Sequence, residues 1–395
     1  MGDAEKIIAR TAQSMSSIDA AQWDACANPG GDIPYNPFLS HAFLMALEAS
    51  GSATAETGWQ PYHVLVEDAH GRIAGCAPAY LKGHSQGEYV FDYGWADAWE
   101  RAGGRYYPKL QVSVPFTPAT GRRLLARPGP DRQQREDQVA AALVEMTNQL
   151  DLSSCHMTFL PHDQWTHLGR IGFLQRTDQQ FHWEDDSYGN FDGFLTALAS
   201  RKRKNLKKER ARAVENDISI EWVTGSDITE DHWDAFFTFY MDTGSRKWGT
   251  PYLTRTCFSM LGEVVPNDIL LIFAKRNGRY IAGAMNMIGS DTLFGRYWGC
   301  TEHHDFLHFE VCYYQAIEFA LSRGLKRVEA GAQGAHKLAR GYVPSLTYSA
   351  HYIPNPSFRD AVERYLTSER QHVAADADML LSHAPFKKTR TDQDH

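Results

Sequence analysis

Apolar and polar residues follow one another in two matched series along the chain. In the first half, the apolar run His63-Val-Leu-Val66 precedes Gly71-Arg-Ile-Ala-Gly75 and the aromatic segment Tyr89-Val-Phe-Asp-Tyr-Gly-Trp95. In the second, Ile269-Leu-Leu-Ile-Phe273 precedes Gly278-Arg-Tyr-Ile-Ala-Gly283 and Leu293-Phe-Gly-Arg-Tyr-Trp-Gly299. Short apolar runs interrupted at glycine predict a hairpin, here followed each time by an aromatic strand. Both series close alike. Leu168-Gly-Arg170 and Gly172-Phe-Leu174 lead to His182-Trp183, while Leu338-Ala-Arg340 and Gly341-Tyr-Val343 lead to His351-Tyr352. Leucine to histidine is 14 positions in one series and 13 in the other. A repeated order of motifs bears on architecture before any single residue does, and it predicts a duplicated unit.

The remaining pattern fills in around that repeat. Phe38, Leu39, Phe43, Leu44 and Leu47 share a helical face over residues 37–50, Gln138–Leu150 predicts a helix, and Cys155–Leu160 a strand. The second half adds helices near 191–215 and 230–244, a helix from Phe309 to Arg323 closed by Gly324, and a strand from Lys326 to Gly331. This order predicts an α/β fold with mixed, α+β-like sheets. The first series is longer by 38 positions, accounted for by residues 96–135, rich in Gly, Pro, Arg and aromatics. The expected division is therefore a first domain over 1–187, elaborated at 96–135, and a second over 188–395. A loop containing Asp185, Asp186, Gly189 and Asn190 supplies the boundary.

Composition excludes several classes. Apolar residues at 43% and charged residues at 22% are globular values. No uninterrupted apolar window is long enough for a membrane span, and Met1–Ile18 lacks the apolar core of a secretory signal. Six scattered cysteines without a Cys-x-x-Cys pair predict buried or free thiols in a reducing compartment. The expectation is a cytoplasmic protein without integral membrane contact.

Against a net charge of −8, eight basic residues crowd into positions 201–212: Arg201, Lys202, Arg203, Lys204, Lys207, Lys208, Arg210 and Arg212. The stretch predicts a helix capped by Ser200, with Arg201, Lys204, Lys208 and Arg212 on one face and Leu206 and Val214 turned inward. Like charges repel along such a helix, so it predicts a phosphate-bearing partner (tRNA, a nucleotide cofactor or an anionic lipid) or a solvated face neutralised by nearby carboxylates.

Four segments carry a resemblance: Ser200-Arg-Lys-Arg-Lys-Asn-Leu-Lys-Lys-Glu-Arg-Ala; Phe239-Tyr-Met-Asp-Thr-Gly-Ser-Arg-Lys-Trp-Gly-Thr-Pro-Tyr-Leu; His308-Phe-Glu-Val-Cys-Tyr-Tyr-Gln315; and Gly331-Ala-Gln-Gly-Ala-His-Lys337 with Arg340-Gly-Tyr-Val-Pro344. From about Asn36 onward the chain resembles the FemAB-like, peptidoglycan-associated branch of the GNAT acyltransferase superfamily. The resemblance implies two tandem GNAT-like domains and transfer of an acyl group, aminoacyl delivered by tRNA, onto an amine. In the family pattern a glutamate usually stands where this chain has Ala335, so this chain departs from the pattern at that carboxylate.

Aminolysis of an activated ester needs a neutral amine, donors for the oxyanion and a group that handles protons. Glu310 and His308, at the start of one helix, and His336, on the loop after the Glu329 strand, are the candidate catalytic residues, with Glu310 as base or amine-positioning group. Lys337 and Arg340 are the expected anion contacts, joined by Arg296 and the basic run at the donor. Tyr297, Trp298, Tyr314 and Gln333 are expected to line the substrate. Each has a structural alternative as a hydrogen-bonded buried group. No permanently bound cofactor is expected; the donor is a co-substrate, aminoacyl-tRNA or acyl-CoA, and the acceptor an amine-containing small molecule or cell-wall precursor. His303, His304 and His308 lack a zinc-protease pattern, and no metal is expected. The alternatives are an acyl-CoA-dependent N-acetyltransferase, disfavoured by the missing pyrophosphate loop, and a degenerate binding module for tRNA or a cell-wall precursor.

Overall fold

The computed structural model describes residues 8–247, 251–331 and 334–387. It shows a mixed α/β protein divided into two compact units. The first comprises Met1–Asp178, Tyr252–Val264 and Thr347–Val373; the second comprises Gln179–Pro251, Val265–Leu346 and Ala374–His395.

The first half contributes β1 (Ile8–Ala12), β2 (Trp59–Pro61), β3 (His63–Glu67), β4 (Ile73–Ala77), β5 (Ala79–Lys82), β6 (Lys109–Val112), β7 (Leu125–Ala126) and β8 (Cys155–Leu160). The hairpin β3–β4 sits in an antiparallel sheet ordered β1-β3-β4-β7. Val64, Val66 and Ala77 pack there with Val139, Ala140 and Leu143 of the helix Arg132–Gln149. β6 instead runs parallel to β8. The aromatic segment expected as a strand departs from the pattern. Phe91 and Tyr93 are 56% and 46% exposed, and Tyr93–Arg101 is a helix. Trp95 and Trp99 stand four apart, a helical spacing that outcompetes the period-two aromatic pattern. The expected helix over 37–50 is broken at Ser40, whose hydroxyl accepts from the Phe43 amide and starts the helix His41–Ala49. A charged cluster is sealed beneath this unit's surface: the fully buried Lys109 ammonium donates to Ser85 Oγ, Glu88 Oε1 and Asp92 Oδ2.

The second half adds β9 (Leu174–Glu184), β10 (Ile218–Thr224), β11 (Ile269–Arg276), β12 (Arg279–Ile288), β13 (Thr292–Cys300), β14 (Arg327–Glu329) and β15 (Val343–Tyr352). β10 to β13 form an antiparallel meander, and β14 lies parallel to β13. The closing strands are exchanged. The His182–Glu184 end of β9 pairs with β14 inside the second unit, whereas Tyr348–Tyr352 of β15 pairs with β8 inside the first. The matched endings His182-Trp183 and His351-Tyr352 are thus each the strand added beside a parallel pair.

The basic stretch is a helix, Ser200–Ala213, with two departures from expectation. Ser200 is its first residue and makes no capping bond, and Val214, beyond its end, is 40% exposed. Leu206 and Ala213 are the buried anchors. The helix expected over Phe309–Arg323 starts at Leu307 and changes pitch: Leu307–Phe309 passes through a π turn, Glu310–Tyr314, into Gln315–Arg323, and Gly324 ends it at φ 69°.

Candidate functional site

β13 and β14 are bonded only from Thr292–Phe294 to Arg327–Glu329; beyond that pairing they diverge. At the divergence β13 carries a bulge. Met285 of β12 faces Tyr297 and Asn286 faces Gly295, leaving Arg296 as the extra residue. Bulges re-aim side chains and recur beside active sites. A glycine suits position 295, because a Cβ there would lie 3.3 Å from the Glu329 carbonyl. The divergence opens a cavity of about 140 Å³ lined by Asn286, Arg296, Tyr297, Trp298, His308 and Tyr313, with Cys312 and Ala330 at its wall.

The π turn brings Tyr313 to that cavity. Five residues of regular α-helix would rotate Tyr313 well off the His308 face, whereas i→i+5 pitch keeps the two together. Their rings are 5.3 Å apart. The Tyr313 hydroxyl lies 3.0 Å from His336 Nε2. His336 is exposed on the 3₁₀ turn Ala335–Arg340, 6.3 Å ring to ring from His308. Gly334 precedes the turn at φ 114°, with the His336 imidazole packed where a Cβ would project. Lys337 is 4% exposed; its ammonium donates to the Ala330 carbonyl and, at 3.0 Å, to that of Gly331. Burial lowers its pKa to about 8.

Glu310, His336, Lys337, Arg296 and the two aromatic-strand residues do not all converge. Glu310, 1% exposed, is directed at the basic helix: Arg210 Nη2 donates to its Oε1 at 2.7 Å, Arg210 Nε to its Oε2 at 3.0 Å, and Gln315 Nε2 to Oε1 at 2.6 Å. Arg340 donates to the His336 carbonyl at 2.6 Å and to Glu209 at 2.8 Å, its guanidinium 3.4 Å above the Phe309 ring. Tyr314, expected to line the substrate, is fully buried and its hydroxyl donates to Glu209; its neighbour Tyr313 takes the lining position. Gln333 lies outside the described residues. His304 lies 3.0 Å from Glu302, and no group of three or more metal-type ligands occurs among the described residues.

On the basic helix, Arg201, Lys204, Lys207, Lys208 and Arg212 are exposed and Lys202 and Arg203 half-buried. Arg212 pairs with Asp305 and Arg210 with Glu310 and Glu318. The other six have no ion-pair partner among the described residues, so the neutralised-face alternative accounts for two of the eight cations. Sequence reasoning missed Tyr313 and Asn286. Their only sequence signal is adjacency to His308 and to the glycine-punctuated strand, because neither the π turn nor the bulge has a periodic signature.

The family model described as peptidoglycan biosynthesis/recognition, FemAB-like, matches residues 14–388. No curated protein matches the sequence. Among solved structures, that of FemX aligns at 12% identity over 90% of this chain and 100% of its own, with a TM-score of 0.53. L-PGS from Bacillus licheniformis aligns at 8% identity over 85% of this chain and 98% of its own, with a TM-score of 0.51. Both are likenesses of fold.

Proposed function

Because the chain belongs to the FemAB-like family, whose fold is a tandem of GNAT-like acyltransferase domains, we propose that its second unit forms an amide by moving an activated acyl group onto an amine. The donor in this reading is aminoacyl-tRNA, the acceptor a cell-wall precursor, and the compartment the cytoplasm, where charged tRNA is made. The observation that supports it most directly is the cavity where β13 and β14 diverge, with Arg296 bulged into its wall and the Tyr313–His336 pair beside it. No described helix is long and apolar enough to cross a membrane.

The amine nitrogen attacks the ester carbonyl, and the oxyanion that forms requires positive charge or donors close by. Lys337 supplies that charge. Two of its three ammonium hydrogens are taken by Ala330 and Gly331, which fixes the group at the end of β14. Tyr313 and His336 pass protons between solvent and the cavity, since His336 is exposed and Tyr313 is 5% exposed. The six cations of the basic helix that have no ion-pair partner among the described residues hold the donor's phosphates. Glu310 has a different task in this reading: paired with Arg210, it holds the basic helix against the helix that carries Tyr313.

Discharge of aminoacyl-tRNA onto amine acceptors tests the proposal. Tyr313→Phe and His336→Ala should each lower kcat by about 10²-fold, at the lower end of what positioned acid–base groups contribute, with tRNA binding retained. Wild-type rates in the double variant would displace the site. Consumption of acyl-CoA but not aminoacyl-tRNA would transfer the reading to an N-acetyltransferase, and consumption of neither to a binding module.

A further inference from the structure

A second cavity, of about 250 Å³, shares Trp298 and His308 with the first. Its other walls are Cys300 at the end of β13, Glu302, His303 and His304 on the turn that follows, Leu307 at the start of the next helix, and Thr243 of the helix Glu230–Lys247. The two differ in charge. Among the described residues Arg296 is the formally charged one lining the first, and the Lys337 ammonium lies 6.0 Å from the Tyr313 ring on its wall. In the second, Glu302 is the one formally charged lining residue among the described residues. Its carboxylate is held below the usual range by hydrogen bonds from His304 and then Arg276, so it is an anion at neutral pH. Trp298 stands between the two cavities, its ring 5.0 Å from that of His308.

A carboxylate, an indole face and three imidazoles around one small cavity match the chemistry of an alkylammonium ion. The charge pairs with the carboxylate, the CH₂ groups and the cation lie on the indole, and an imidazole accepts the proton that must leave before the nitrogen can attack. We propose that this second cavity is the subsite for the acceptor's amine, that Glu302 and Trp298 select a cationic amine over a neutral alcohol, and that His308, common to both cavities, takes its proton. This rests on the acyl-transfer reading. The step balances: the ammonium releases one proton to His308, which returns it to solvent; the lone pair of the neutral nitrogen forms the C–N bond at the ester carbonyl; the nitrogen of the tetrahedral adduct gives its second proton to the imidazole; and the C–O bond breaks as the imidazolium passes that proton to the leaving oxygen, one proton in all being released to solvent.

Ligand-observed NMR with the full chain, without any donor, tests the subsite by itself. n-Butylammonium chloride is the probe and n-butanol its neutral counterpart, at fixed ionic strength. Wild type should bind the ammonium at least about fivefold more tightly than the alcohol. Glu302→Gln should weaken ammonium binding about tenfold, and Trp298→Leu several-fold, while Trp298→Phe keeps most of it. The Glu302 side chain is 42% exposed, so its replacement leaves the fold intact, and melting curves check this. Equal binding of butanol, or unchanged ammonium binding in both Glu302→Gln and Trp298→Leu, overturns the proposal. In the transfer assay, His308→Ala should lower kcat about 10²-fold while the butylammonium Kd moves far less; an unchanged kcat removes His308 as proton acceptor. Failure of all donors in that assay would count against acyl transfer, not against the ammonium site measured by NMR.

Discussion

Glu310 is 1% exposed with both oxygens bonded, whereas the guanidinium of its partner Arg210 remains 23% exposed. A carboxylate that buried is stable only with its partner in place, so removing the charge leaves Arg210 with half its binding fork empty. For a fully buried pair the loss would be about 3–5 kcal/mol; partial exposure of Arg210 reduces it to on the order of 2 kcal/mol. Glu310→Gln should therefore lower the melting temperature and speed amide exchange in the basic helix. The acyl-transfer rate per folded molecule should change only a few-fold. A loss near 10²-fold at unchanged stability would instead make Glu310 the base.

At the scale of elements, the basic helix Ser200–Ala213 combines two functions on different faces. Leu206 and Ala213 are buried, Arg210 and Arg212 pair with carboxylates, and the remaining six cations have no ion-pair partner among the described residues. A helix loaded this way is repulsive until a polyanion arrives. Reversing Arg201, Lys204 and Lys208 to Glu should weaken tRNA binding more than about tenfold. It should also flatten the slope of log K against log salt by roughly 0.7–0.9 per lost phosphate contact. Fluorescence anisotropy across a salt series measures both. Unchanged affinity and an unchanged slope would leave the helix as a solvated face.

For the molecule as a whole, three buried histidines set an acid limit. Burial pushes His156 and His182 down to about 3 and His351 well below its ordinary value. Each is neutral in the folded protein and takes a proton near its ordinary value when unfolded. Their contribution is complete above about pH 6.5 and is lost as pH falls toward the folded values, at about 1.4 kcal/mol per pH unit for each. Asp92 acts with the same sign: burial would raise it, but the Lys109 ammonium beside it holds it well below the carboxylate range. The melting temperature should fall steadily from pH 7 to pH 4, and a flat profile would contradict the burial of these imidazoles.

The hairpins β3–β4 and β11–β12, the strand β13, the basic helix and the glycine that ends the helix before β14 all follow from spacing within a dozen residues. So do the motifs that place the chain in its family. Such features are local, because side-chain period and glycine's access to positive φ act between near neighbours. The aromatic segment at 89–95 shows where local reading fails: two periods fit it, and packing of Trp95 and Trp99 selected the helix. Other features depended on partners far along the chain. Glu310 meets Arg210 from 100 positions away, and the closing strands β9 and β15 are exchanged. A strand edge can be completed by any segment of suitable alternation, and a charged side chain turns to whichever partner lowers its desolvation cost. Period and spacing do not specify those partners; only the folded chain brings them within reach.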